Sequence, residues 1–151
     1  MGMSFPPRRV VVGHDAEGHA TVVSDTVLTN GRARREGHQS YVVWATEAVP
    51  ANISSDVDPA ASPIGRSLPR GTVFRVARYA PGVASEMHRT DSVDYAIVLS
   101  GSIELVLESE TVVLSAGDLL VQRGTAHDWV NRGEEPCVIA FCLVAAEPFR
   151  Q

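Results

Sequence analysis

Residues 81–101 read PGVASEMHRTDSVDYAIVLSG, and residues 116–131 read AGDLLVQRGTAHDWVN. Each stretch joins a turn signal to a short run rich in Val, Ile, Leu and Tyr, the pattern of strands cut apart by tight turns. Between them, Ile103, Leu105 and Leu107 alternate with Glu104 and Glu108, so one face of that strand goes inward and the other meets water. Working outward, TVFRVARY (72–79) and CVIAFCLVA (137–145) read as further strands, and RRVVVG, ATVVSD and SYVVWAT add more before residue 47. Turn residues such as Asn30-Gly31, Pro81-Gly82, Ser100-Gly101 and Arg132-Gly133 separate the runs at the spacing of an antiparallel sandwich or barrel. No long window holds a helical stripe. The best attempt, Asn52 to Ala61, is broken by Pro59, so the expectation is an all-β chain.

The chain of 151 residues is the size of one domain. Its organisation is expected to be N-terminal strands over 8–49, an irregular Pro/Ser/Asp-rich segment over 50–70 and a barrel over 71–146. A loop as long as 50–70 acts either as a functional flap or as a tether. The N-terminal strands are too few to enclose a core and are expected to extend the main sheet or pack a neighbouring subunit. Hydrophobic residues make up 44% and charged residues 21%, which fits a globular protein rather than a disordered tail. A net charge of -5 argues against nucleic acid as a partner, because displacing phosphate counterions takes a surplus of Lys and Arg. No run approaches the roughly 20 apolar residues of a membrane span. MGMSFPPRRV lacks the apolar core of a secretory leader, and Pro6 stands where a myristoylation signal wants Ser or Thr, so the cytoplasm is the expected compartment. Cys137 and Cys142, five apart in one strand, leave by opposite faces and are expected to be buried free thiols.

His14, His19 and His38 lie among Gly and charged residues and are expected in solvent or turns. His88 and His127 differ: each stands beside a turn signal and just before or on a β-patterned run, and Asp94 starts the strand that follows His88. In a barrel such residues can converge, and two imidazoles with a carboxylate make the facial 2-His-1-carboxylate set used by non-haem iron and other divalent metals. The alternative from spacing alone has His88 capping a turn, Asp94 in an Asx turn and His127 as a hydrogen-bonded core residue. Without metal, the same trio can serve as an acid and base set. Tyr95 should face away from Asp94 as a packing residue. One of Arg75 and Arg78 points inward, where it needs an acid or an anionic ligand. Trp129 shares a face with His127 and is expected in the core or an interface, and Asp118 in a turn.

At these residues the chain resembles the cupins. Gly82 is followed after five residues by His88, then by Thr90 where the family's first motif has a second histidine, by Asp94 where it has glutamate, and by Gly101 after six more. Gly117, Gly124, His127 and Asn131 match the second motif, without its proline and with one residue fewer between Gly117 and His127. The resemblance covers residues 82–131 and implies a cupin-type jelly-roll β-barrel with an N-terminal β extension. It also implies one divalent metal (Fe, Mn, Zn, Ni or Co) held by His88, Asp94 and His127, with Thr90 a poor ligand and Asp94 one methylene short. The family's habit and the exposed amides of extra strands point to a homodimer. The expected function is a metal-dependent enzyme acting on a small organic acid or oxygenated carbonyl compound, with isomerase, dehydratase, decarboxylase and dioxygenase chemistry all open. The rival is a non-catalytic small-molecule binding or sensing module. Histidines tied to backbone at both ring nitrogens would favour the rival.

Overall fold

The computed structural model describes residues 3–84 and 86–151. Its strands are β1 (Arg8–His14), β2 (Ala20–Val27), β3 (His38–Thr46), β4 (Thr72–Tyr79), β5 (Ser92–Ser100), β6 (Ser102–Leu107), β7 (Thr111–Ser115), β8 (Leu119–Arg123), β9 (His127–Val130) and β10 (Cys137–Ala145). The helical content among the described residues is one 3-10 turn, Pro59–Ala61. The all-β reading holds, and Pro59 marks the start of that single turn rather than the break in a helix.

Five strands in the order β3-β4-β10-β5-β8 form the larger sheet, and β7-β6-β9 the smaller. All pairings are antiparallel. The two sheets form a jelly-roll β-barrel. β10 lies between β4 and β5, and its inward residues Ile139, Phe141 and Leu143 join Val73, Ala77, Val98, Ile103, Leu105 and Trp129 in one apolar core. Alternation is sharpest on β5, where Ser92, Asp94, Ala96 and Val98 are buried and Tyr95, Ile97 and Leu99 face outward. Gly101, in the β5–β6 turn, has φ +73°, and a Cβ there would sit 2.3 Å from the Pro136 carbonyl oxygen. A side chain at this position is therefore excluded twice over.

The N-terminal strands divide in role. β3 extends the larger sheet beside β4, whereas β1 and β2 form a separate two-stranded ribbon. Arg9 of β1 is buried and anchors the ribbon: its guanidinium donates to both Asp58 carboxylate oxygens at 3.1 and 2.6 Å and to the Val43 carbonyl at 3.2 Å. Asp58 also caps the 3-10 turn by accepting from the Ala60 amide at 2.9 Å. Its carboxyl is held below the usual range, first by the Arg9 hydrogen bond. Cys137 is buried, its thiol pushed up to about 12 by burial, but Cys142 is half-buried, because the outward face of β10 is only partly covered. Both thiols are free, as expected. No helix among the described residues is long and apolar enough to cross a membrane.

Candidate active site

His88 and His127 are brought together by backbone. The segment after β4 lies along β9, with the Gly82 amide donating to the Asn131 carbonyl and the Asn131 amide to the Val83 carbonyl, both at 2.8 Å. Further along, His88 and His127 exchange a pair of backbone hydrogen bonds at 3.0 and 2.9 Å. Directly opposed residues of an antiparallel pair project to the same side, and the two imidazole centroids stand 4.5 Å apart. Each ring is then oriented by a local carbonyl. His88 Nδ1 lies 2.8 Å from the Glu86 oxygen and His127 Nδ1 2.8 Å from the Thr125 oxygen. A carbonyl only accepts, so Nδ1 carries the proton and Nε2 presents a lone pair. Burial lowers both pKa values, opposed in each case by the carbonyl bond. Both rings are therefore neutral bases near pH 7. The pattern that would mark a passive module, ring nitrogens tied to backbone on both sides, is absent among the described residues.

Asp94 enters from β5 and is 6% exposed. It accepts from Ser92 Oγ at 2.6 Å, and Ser92 in turn meets Thr90 Oγ1 at 2.7 Å. Burial raises its carboxyl pKa, against the opposing effects of the Ser92 bond and the His88 and Arg75 charges. His88, Thr90, Asp94 and His127 all line one pocket of about 70 Å³. Donors to one divalent ion sit about 2.0–2.2 Å from it, so no two can be more than about 4.4 Å apart. Among the described residues, the group of three or more His, Cys, Asp or Glu whose ligand atoms lie within 4.8 Å of one another is the exposed Asp15, Glu17 and His19. That cluster is an Asx turn, Asp15 accepting from the Glu17 and His19 amides. His88, Asp94 and His127, the expected facial set, share one pocket, with their donor atoms spread beyond that 4.8 Å span. Asp94 is engaged with Ser92, and Thr90 with the same hydroxyl.

Several residues around this pocket depart from expectation. His38 is 6% exposed rather than in solvent, because β3 begins at His38 and places it on the inward face with Ser40. Its ring packs edge-on to Tyr79 at 5.1 Å, and Nδ1 accepts from the Arg34 amide at 3.4 Å. Burial and the nearby Arg35 and Arg34 push its pKa down to about 4. His14 and His19 are exposed, as read. Of the two arginines on β4, Arg75 is the inward one, and Arg34, Arg35 and Arg66 line the same pocket. Gln122 was not among the expected site residues. It stands opposite Asp94 in the β5–β8 register, is 4% exposed, and neither side-chain polar atom has a partner. Its sequence signal is a polar residue two after Leu120, on the inward side of β8. Trp129 is a core residue, edge-on to both His127 and Phe141.

Comparison with known proteins agrees with this architecture. Residues 75–144 match the cupin domain family model. The phomopsin biosynthesis cluster protein C' of Diaporthe leptostromiformis is 39% identical over 139 residues, covering 83% of this chain and 71% of that protein. The cupin-domain-containing oxidoreductase virC of Hypocrea virens is 33% identical over 148 residues, 93% of this chain and 76% of its own length. Among solved structures, KdgF from Halomonas sp. is similar with a TM-score of 0.52 at 20% identity, over 80% of this chain and 88% of that one. The chain belongs to the cupin family.

Proposed function

We propose that this cupin is an enzyme that moves a proton at the carbon next to a carbonyl group in a small organic acid or oxygenated carbonyl compound, with His88 and His127 as its bases. The observation that carries this reading is the paired imidazoles, each with Nδ1 fixed by a backbone carbonyl and Nε2 left as a lone pair in one pocket. One Nε2 takes the C–H proton. The C–H electron pair becomes a carbon–carbon π bond as the carbonyl π pair moves onto oxygen. The enolate formed faces a pocket lined by four arginines, which favours the negative oxygen. The imidazolium then returns the proton to the neighbouring carbon or to oxygen. Enolisation of this kind is the proton-transfer part of isomerisation and dehydration alike. The oxidoreductase name of one relative supports an enzyme rather than a sensor. The small molecule is its partner, and the protein acts as a homodimer.

The test is hydrogen exchange in deuterated water. Incubated with a panel of small 2-oxo acids, the wild type should replace the α-proton of at least one, read by loss of its proton resonance. His88→Asn and His127→Asn should each slow this about a hundredfold or more, the scale of general-base catalysis. Exchange at the buffer rate across the panel, or at equal rates in wild type and both variants, sinks the reading.

A further inference from the structure

A second, larger cavity of about 550 Å³ lies between β3 and residues 60–65, and it shares Arg34, Ser40 and Arg75 with the pocket of the two histidines. Its volume is that of a small-ligand site. Ala60, Pro63, Ile64 and Val42 supply apolar wall. Arg75 stands where the two spaces meet. It is 9% exposed, and its Nη2 donates to the carbonyls of Gly65 and, at 3.2 Å, Arg66, which leaves Nε buried with no partner. The ion pairs Arg8–Asp25, Arg9–Asp58, His19–Asp15 and Arg132–Glu104 all lie away from the pocket arginines, and the acid whose charge acts on Arg75 is Asp94. In a chain of net charge -5, four cations and one acid are concentrated around a single pocket. A buried guanidinium without a counter-ion is costly unless an anion arrives.

Resting on the proton-transfer reading above, we propose that the substrate is an amphiphilic carboxylate, its carboxylate held by Arg75 and its apolar body lying in the larger cavity against residues 60–65. The acid group is thereby anchored where the two spaces join, and the carbon next to it is offered to the histidine pocket. Burial, reinforced by the Arg34 charge, lowers the Arg75 pKa to about 10, so the guanidinium stays charged at neutral pH and gains from a bound anion. The irregular segment 50–70 then serves as a wall of the site, held in place by Arg9 through Asp58 and by Arg75 through Gly65.

Titration calorimetry with hexanoate tests this. Hexanoate should bind the wild type at least tenfold more tightly than acetate, which lacks the body, or hexanamide, which lacks the charge. Arg75→Gln should weaken hexanoate about ten- to hundredfold, the scale of a charge-assisted pair. Ala61→Glu changes an exposed residue of the cavity wall, leaves the barrel untouched and should weaken hexanoate but not acetate. Equal binding of hexanoate and hexanamide, unchanged binding in a folded Arg75→Gln, or inorganic phosphate binding more tightly than hexanoate overturns the proposal. His88→Asn should keep hexanoate binding while losing deuterium exchange. Exchange undiminished in that variant overturns the role of the histidines and leaves the anchor standing.

Discussion

Gln122 is a costly residue for the barrel, since both polar atoms of its amide are buried without partners. An unmade hydrogen bond costs about 1–3 kcal/mol, whereas an apolar group of similar shape costs little. Gln122→Leu should therefore raise the urea midpoint, by about 1 kcal/mol in stability, and a loss of more than that would show that the amide is satisfied in solution. His38 gives a second prediction. Its folded pKa is near 4, against an ordinary value of 6.5, so below pH 6.5 the unfolded chain takes up a proton that the folded chain refuses. The stability it supports is complete above pH 6.5 and is lost as the pH falls through about 4. The urea midpoint should drop between pH 7 and pH 4.5, and His38→Gln should shallow that drop; equal slopes would mean that His38 is solvated. His88, Asp94 and His127 were legible in sequence as pocket residues because turn signals and alternation placed them at strand starts and on inward faces. The Ser92 bond that holds Asp94 was not, because a hydrogen bond leaves no periodic trace. His38 was missed because its charged neighbours Arg34, Arg35 and Glu36 mask the start of a strand.

At the scale of elements, β10 is the strand on which the larger sheet depends, bonded to β4 on one side and β5 on the other. Ile139, fully buried at its inward face, should cost about 2–5 kcal/mol when truncated to Ala, read as a lowered denaturant midpoint with an unchanged slope. A loss below 1 kcal/mol would mean that the core closes over the void. Strand existence was readable almost throughout, since alternating apolar residues and glycine turns are local signals. Strand partnership was less so. RRVVVG and SYVVWAT look alike as runs, yet β1 joins a ribbon and β3 the barrel, because β3 pairs with β4 in a register spanning His38–Tyr79 to Thr46–Thr72. Nor could composition show that 50–70 is fastened: the fastening is Arg9 to Asp58, 49 residues apart.

For the whole molecule, β8 is an edge strand, and Tyr95, Ile97, Leu119 and Val121 form an apolar strip along its outer face. The ribbon adds exposed Val10, Val12, Val22 and Val23. An edge of this kind calls for a cover. Light scattering should give twice the chain mass of 16.2 kDa for the wild type, and Leu119→Glu with Val121→Glu should halve it. A wild type at the mass of one chain removes the dimer. The backbone bridge between His88 and His127 has a bearing of its own. Both imidazoles are set by the same contact that lays Gly82, Val83 and His88 along β9. A substitution that breaks either bond displaces both rings at once, so damage on one side of the bridge is felt by the imidazole on the other.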